Sequence, residues 1–168
     1  MTNTRMGIVV NTSPWIALST CGQIPLLEKL YTDVYIPYHV KEEIMAGGKD
    51  SFGVYELETC KWVKIEKVQD IEKVTLLCEL EQGEAEVIIL AKEIGIKQVL
   101  IDEKVARLQA HVLDLDVIGT LGLLLKAKKK GLLPSIKISI TKIMDSGIWI
   151  KDQIVQGIIK DAGEGEGL

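Results

Sequence analysis

Cysteine and histidine are scarce in this sequence, and their scarcity excludes several classes of protein. Cys21, Cys60 and Cys78 are odd in number and form no CxxC pair, so we expect neither a disulfide framework nor a thiolate zinc site. Free thiols fit a reducing compartment, and we predict a cytoplasmic protein. His39 and His111 lie in unrelated contexts, and nothing around them supports a Ser-His-Asp or Cys-His hydrolase.

Long apolar runs are also missing. The uncharged stretch at residues 6–27 is interrupted by Asn11, Pro14 and Pro25, and its longest apolar run, at 8–10, is shorter than a signal peptide requires. No segment approaches the roughly 20 apolar residues of a membrane-spanning helix. We therefore predict a soluble protein with no membrane partner.

The chain lacks an excess of basic charge. Its 20 Lys and Arg residues face 24 Asp and Glu residues, which argues against a module that holds nucleic acid by bulk positive charge. The composition does not exclude an enzyme that binds phosphates through metal cations. The length of 168 residues and the 47% hydrophobic content predict one folded domain, placed at 1–162, with a flexible Gly/Glu tail at 163–168.

Short β-branched runs alternate with helical patterns along the chain. Strands are expected at 7–10, 34–36, 62–65, 99–101 and 117–118, and helices at 24–30, 39–46, 84–94, 104–113 and 121–130, with two more between 136 and 160. Strands that are apolar on both faces and separated by helices predict a parallel sheet covered on both sides. Ligands bind at the carboxyl ends of such strands. The phosphate-binding glycine motifs of nucleotide-binding folds are missing.

Polar and acidic side chains stand at these carboxyl ends. Asn11 ends the first strand, and Asp102-Glu103 follows the strand at 99–101. We therefore expect Asn11, Asp102 and Glu103 to face one crevice. As simpler alternatives, Asp102 caps the following helix and Asn11 forms an Asx turn.

Two helices are expected to add one glutamate each to this crevice. At about 100° per residue, Glu43 and Glu84 share the apolar stripes of their helices, whereas Glu42 and Glu86 are expected to point to solvent. Carboxylates that converge without basic partners repel one another unless a cation binds them. Oxygen ligands select hard cations, Mg²⁺ or Mn²⁺, which suit phosphodiester hydrolysis. Alone, Glu84 is a partner of the helix dipole.

The order and spacing of several short motifs resemble the PIN domain. These motifs are Val9–Pro14, Ile36-Pro37 followed by Val40–Ile44, Gly83-Glu84-Ala85-Glu86, Val99–Glu103 with Arg107, and Gly119–Leu124. The similarity covers about residues 6–160 and points to uncharacterised prokaryotic PIN-like proteins related to VapC-type toxins.

The resemblance implies a three-layer α/β/α sandwich around a mostly parallel sheet, and cleavage of single-stranded RNA that depends on Mg²⁺ or Mn²⁺. It maps the acidic quartet of the family to Asn11, Glu43, Glu84 and Asp102, with Glu103 as a further metal ligand. The family pattern has Asp where this chain has Asn11. The site therefore carries one negative charge less, and we expect a lower metal affinity.

Contacts to RNA are expected from three residues near these acids. Thr12 and Ser13 follow Asn11 and are placed to hold a metal-bound water or to contact RNA. Arg107 is placed either to contact a phosphate or to pair with Glu103 at i, i+4. The lysines at 126–130 either bind phosphates or complement a helix C-terminus.

Three functions compete at this point. The first is a metal-dependent endoribonuclease, the toxin of a toxin–antitoxin pair with an antitoxin protein as partner. The second is a PIN-fold module with weakened catalysis that binds protein or RNA, which Asn11 favours. A third, a signalling protein with Asp102 as phosphoacceptor, lacks the expected Lys after a later strand. The resemblance also suggests a homodimer, and isoleucines at 136, 138, 140, 143, 148 and 150 offer apolar surface for its interface.

Overall fold

The structure, a computed structural model, describes residues 6–165. Its elements in chain order are β1 (Gly7–Val10), α1 (Thr12–Thr20), α2 (Pro25–Leu30), β2 (Asp33–Pro37), α3 (Tyr38–Met45), α4 (Val54–Thr59), β3 (Val63–Glu66), α5 (Ile71–Leu76), α6 (Gln82–Ile94), β4 (Gln98–Leu100), α7 (Lys104–Val112), β5 (Asp116–Ile118), α8 (Thr120–Lys129), α9 (Ile136–Asp145) and α10 (Asp152–Asp161).

Five parallel strands form one sheet in the order β3-β2-β1-β4-β5. The central strand β1 is fully buried at Ile8, Val9 and Val10, because β2 and β4 flank it and helices cover both faces. This arrangement confirms the predicted α/β/α sandwich, and the strand expected at 62–65 lies at the sheet edge as β3.

Strand register aligns the carboxyl ends that matter for function. Val10 of β1 pairs with Leu100 of β4, and Leu100 pairs with Ile118 of β5. The Asn11 N–H then donates to the Leu100 carbonyl at 3.1 Å. The residues that follow these strands therefore leave the sheet at one edge, as the sequence predicts.

The helices α4 and α5 were not expected from the sequence. Each has six residues and buries a single side chain, Val54 in α4 and Val74 in α5. A helix that buries one residue shows no 3.6-residue repeat of apolar positions, so no pattern marks it in the sequence.

In the part of the chain that the structure describes, no helix is long and apolar enough to cross a membrane.

The four isoleucines of α9 that were assigned to a dimer interface divide into two groups. Ile136, Ile140 and Ile143 belong to the core of this chain, whereas Ile138 is 57% exposed. The 3.6-residue repeat explains this division, because the three core residues share one face of α9. The apolar surface left for an interface is therefore smaller than the isoleucine count suggests.

The tail predicted to be flexible from residue 163 is anchored at its start. The Glu164 carboxylate accepts hydrogen bonds from the Ser135 hydroxyl at 2.8 Å and from the Ile136 N–H at 2.7 Å. These groups begin α9, whose first N–H groups have no partner inside the helix. The folded unit therefore extends to Glu164, beyond the predicted limit at 162, and the rest of the expected tail, 166–168, lies outside the described residues.

The same contacts predict how stability depends on pH. Burial opposes ionisation of Glu164, but hydrogen bonds from Ile136, Ser135, Lys137 and Lys128 lower its pKa from 4.5 to about 2. A carboxyl group with a lowered pKa stabilises the fold above its unfolded value, and this contribution is lost as the pH falls through the folded value. We expect Glu164→Gln to lower the free energy of unfolding by about 1–3 kcal/mol at pH 7.

Urea unfolding of the wild type and Glu164→Gln between pH 7 and pH 2 checks this expectation. The difference between the two proteins should stay constant down to about pH 4.5 and then shrink as the pH approaches 2. Asp161→Asn, at an exposed position nearby, is the control and should change stability little. A difference that stays constant to pH 2 would contradict the role of the Glu164 charge.

Candidate active site

A small cleft lies at the carboxyl edge of the sheet. Its volume is about 220 Å³, and the side chains around it are Asn11, Thr12, Ser13, Glu43, Glu81, Glu84 and Glu103. Of the residues predicted for the site, the fold thus brings together Asn11, Thr12, Ser13, Glu43, Glu84 and Glu103. The structure adds Glu81 and places Asp102 and Arg107 elsewhere.

Asn11 enters the cleft from the end of β1. It is 5% exposed and stands at the N-cap position of α1, yet its side chain makes no capping hydrogen bond there. The simpler expectation of a local turn is therefore not met within the described residues. Its amide group lies at the cleft instead.

Glu43 is held at the cleft by contacts from two other helices. The Thr12 hydroxyl at the start of α1 donates to Glu43 Oε1 at 3.2 Å. The same oxygen lies so close to the α-carbon of Gly83 in α6 that any side chain at position 83 would overlap it. The missing side chain of Gly83 thus makes the space that Glu43 occupies, which gives a physical reason for glycine before Glu84. Its neighbour Glu42 points to solvent, as predicted.

Glu84 and Glu81 cap the start of α6 reciprocally. The Glu81 N–H donates to Glu84 Oε1 at 3.0 Å, and the Glu81 side chain accepts from the Glu84 N–H. Glu84 is only 7% exposed, so it serves both as a cap and as a wall of the cleft. Sequence reasoning missed Glu81, although a glutamate three residues before Glu84 is a capping-box spacing.

The charges of the cleft act on Glu84. Burial raises the pKa of this carboxyl, and the negative charges of Glu103, Glu81 and Glu43 raise it further, against a lowering by the hydrogen bond from the Glu81 N–H. Neighbouring charges raise a carboxyl pKa only where they are close and poorly screened. Glu84 therefore lies close enough to Glu103, Glu81 and Glu43 to be affected by their charges.

Asp102 does not line this cleft. Both its oxygens accept from Thr120, Oδ1 from the N–H at 2.7 Å and Oδ2 from the hydroxyl at 2.5 Å. Thr120 is the first residue of α8, where an N–H lacks a partner inside the helix. This donor, 18 residues further along the chain, draws Asp102 towards α8, and the sequence pattern gives no sign of it.

The cap of α7 is formed by Glu103 rather than by Asp102. Glu103 Oε2 accepts from the Ala106 N–H at 2.9 Å, so the interpretation of Asp102 as the cap is wrong. Glu103 keeps its place at the cleft while it fills this role.

Arg107 does not form the ion pair with Glu103 proposed from sequence, and its contact to a phosphate stays a prediction. Its Nη1 donates to the Ile101 carbonyl at 3.2 Å, and within residues 6–165 no carboxylate, including Glu103, comes within 4.0 Å of it. Arg107 instead lines a second groove, of about 510 Å³, together with Asp102 and Lys104.

Two of the lysines at 126–130 have structural partners. Lys126 Nζ lies 4.7 Å from the ring centre of Tyr31 and contacts its hydroxyl. Lys128 Nζ donates to the Pro134 carbonyl at 2.6 Å and pairs with Glu164 at 3.3 Å. These contacts favour the structural explanation for both lysines over phosphate binding.

The expectation that Glu86 points to solvent is wrong. Glu86 is 5% exposed and accepts a hydrogen bond from Gln82 Nε2 at 3.0 Å. The helical-wheel argument assumes one buried face, but α6 packs against the sheet and against α3, α5 and α7. Side chains around most of its circumference are therefore covered.

The cleft offers the chemistry of a hard-cation site without a preformed geometry. Its donors are carboxylate and amide oxygens, which Mg²⁺ and Mn²⁺ prefer. Within residues 6–165, however, no three His, Cys, Asp or Glu side chains are arranged to hold a metal ion. Glu81 and Glu103 bind backbone N–H groups, and Asp102 binds Thr120. The donor set fits a divalent cation, which would bind these carboxylates in competition with their caps.

A parallel α/β/α sandwich with an acidic cleft at its carboxyl edge defines the class of this protein. A family model described as a PIN domain matches residues 7–164, so the chain belongs to the PIN-domain family. No curated protein matches the sequence. The predicted family is confirmed, and the family suggests a nuclease-type function. The relation to VapC-type toxins stays a prediction.

The contact between Gly83 and Glu43 gives a test of how the cleft is built. Gly83→Ala adds a methyl group where Glu43 Oε1 lies, so we expect the Glu43 carboxylate to turn away and lose its bond from Thr12. Gly157→Ala in α10 is the matched control, because a Cβ there meets no atom within 4 Å. Ala in place of a helical Gly stabilises by about 0.5–1 kcal/mol.

Crystal structures and thermal unfolding of both variants check this expectation. Gly157→Ala should raise the melting temperature, while Gly83→Ala should gain less and show Glu43 displaced. An unmoved Glu43 in Gly83→Ala, with the same gain in melting temperature, would contradict this account of the cleft.

Proposed function

We propose that the protein is an endoribonuclease that hydrolyses phosphodiester bonds of single-stranded RNA in the acidic cleft, with Mg²⁺ or Mn²⁺ as cofactor. One observation carries the proposal. Four glutamates and Asn11 surround a cleft of about 220 Å³, and among its described lining residues none is Lys or Arg. Burial raises the pKa of Glu84, and the charges of Glu103, Glu81 and Glu43 raise it further, so a bound cation would stabilise its ionised form.

Asn11, Glu43 and Glu84 are the residues that would hold the cation, with Glu103 as a further ligand. When bound, Mg²⁺ or Mn²⁺ lowers the pKa of an attacking water and stabilises the leaving oxygen. The amide oxygen of Asn11 is a hard donor without charge, so the site attracts a cation less strongly than one with Asp at this position.

Other residues fix the direction of these ligands. Thr12 orients Glu43 by its hydroxyl hydrogen bond, and Glu81 orients Glu84 through the cap of α6. Asp102, held by both donors of Thr120, stands one residue before Glu103 at the rim of the neighbouring groove. Its membership of the quartet, implied by the resemblance, stays a prediction.

A second function, a PIN-fold module with weakened catalysis that binds RNA or protein, has its own support. Asn11 lacks the charge of the family's first Asp, and among the described residues no cation-ready cluster of three ligands exists. The two functions differ in whether the purified protein hydrolyses RNA through this cleft.

Calorimetric titration with Mn²⁺ at pH 7.5, followed by an RNA cleavage assay, tests the proposal. We expect Glu43→Gln and Glu84→Gln to weaken Mn²⁺ binding and abolish cleavage. Asn11→Asp should tighten binding roughly tenfold or more, since it adds a charge beside the cation. Glu42→Gln, one position from Glu43 and exposed, is the matched control and should behave as wild type.

The outcomes separate the two functions. Wild-type cleavage that Glu84→Gln removes supports the nuclease. Binding and cleavage seen only with Asn11→Asp would support the weakened module. Cleavage that survives both Glu43→Gln and Glu84→Gln would place the activity outside this cleft.

The biological setting is part of the same proposal. The resemblance to VapC-type toxins supports a cytoplasmic toxin that acts as a homodimer and is neutralised by an antitoxin protein. Induced expression should then arrest growth in the wild type and not in Glu84→Gln. Equal growth of both strains would contradict the toxin role.

A further inference from the structure

One aromatic side chain stands out from the surface near Asp102. Trp149 is 80% exposed, whereas Trp15 is fully buried. It lies between α9 and α10, in the stretch 148–151 that carries no regular secondary structure. A single exposed apolar side chain is common on protein surfaces, so the surroundings of Trp149 decide whether it has a binding role.

Trp149 lines a groove of about 380 Å³, called here the Trp149 groove. Its walls are largely apolar and include Leu121, Ile148 and Ile150, while Asp102 and Thr120 form a polar end. The second groove, of about 510 Å³, shares Asp102 and Leu121 with it. The two grooves therefore adjoin each other at Asp102, whose neighbour in the chain, Glu103, lines the acidic cleft.

The charge changes sign between the cleft and the surface of these two grooves. Lys104 and Arg107 line the second groove, and Lys151 lines the Trp149 groove. None of the three has a carboxylate within 4.0 Å among residues 6–165. Among all the described residues that line one groove or the other, only Asp102 is acidic. Thr120 donates hydrogen bonds to both oxygens of Asp102.

We propose that this surface binds unpaired nucleotides, with a base stacked on Trp149 and phosphates at Arg107, Lys104 and Lys151. Stacking on an exposed aromatic beside cations is how proteins bind single strands without reading their sequence. The inference deepens the proposed function, on which it rests. It identifies a path along which an RNA strand reaches the cleft past Asp102.

The charges favour a nucleotide strand over a protein as the occupant. Unpaired Lys and Arg side chains around apolar walls match a ligand that alternates flat apolar bases with anionic phosphates. A second copy of this chain is the alternative occupant, since its net charge of −4 is opposite to that of the lysines and Arg107. It would have to cover Trp149 with apolar surface. This alternative predicts a change in oligomeric state, which the test measures.

Binding of a fluorescently labelled oligouridylate, measured by anisotropy in EDTA, tests the proposal without cleavage. We expect Trp149→Ala to weaken binding roughly tenfold and Trp149→Phe to recover most of it. Arg107→Gln should weaken binding and reduce its salt dependence. Tyr55→Ala is the matched control, since Tyr55 is 71% exposed on α4 and lines neither groove, and it should bind as wild type.

A Mn²⁺-dependent cleavage assay on the same variants separates this inference from the proposed function. Wild-type binding that Trp149→Ala leaves unchanged would overturn the Trp149 site, whatever the cleavage result. Binding that depends on Trp149 while the wild type fails to cleave would support the site and contradict the nuclease. Duplex RNA that competes as well as the single strand would overturn stacking on Trp149. So would sedimentation that shows Trp149→Ala converting a dimer to a monomer.

Discussion

The mutual repulsion of four glutamates in one small cleft is the constraint on which the rest of the site depends. Glu43, Glu81, Glu84 and Glu103 come from α3, the start of α6 and the start of α7. Bringing such charges together is unfavourable unless donors or cations face them. The local structure around the cleft supplies donors, and they come mainly from the backbone.

Helix N-termini carry much of this compensation. Glu81 and Glu84 accept from N–H groups at the start of α6, and Glu103 accepts from the Ala106 N–H of α7. Free N–H groups and the positive end of the helix dipole both stabilise a carboxylate. The glutamates that make the cleft acidic therefore also cap the first turns of α6 and α7. A cation that recruits these carboxylates must compete with their caps, which explains how an acidic cleft lacks a ready metal geometry.

Strand positions and apolar stripes were sufficient to predict several of the side chains that line the cleft. Asn11 follows β1 and Glu43 lies on the buried side of α3, and simple periodicity identifies both. The positions of Asp102 and Glu86 depend on contacts between segments that are distant in the sequence. Asp102 binds Thr120 of α8, and Glu86 is buried because α6 is covered on several sides. Neither partner is visible in a local pattern, whereas the capping spacing of Glu81 and Glu84 is visible and was overlooked.

Gly83, in the motif Gly83-Glu84-Ala85-Glu86, affects the cleft although it has no side chain. Its missing side chain leaves room for the Glu43 carboxylate of α3 at the start of α6. Beyond Asp102 the surface turns basic and apolar, which suits a strand that must approach an acidic centre. Under the two proposals, RNA would be cleaved in the cleft and bound in the Trp149 groove.

A crystal structure of the wild type soaked in Mn²⁺, with the anomalous signal of manganese located, would show whether the acidic cleft binds the cation. We expect a manganese peak inside the cleft, with Asn11, Glu43 and Glu84 as ligands. We also expect that Glu81 or Glu103 has moved off its cap. A peak at Asp102 and Thr120 with the cleft unchanged, or no peak at a concentration that supports RNA cleavage, would contradict this expectation.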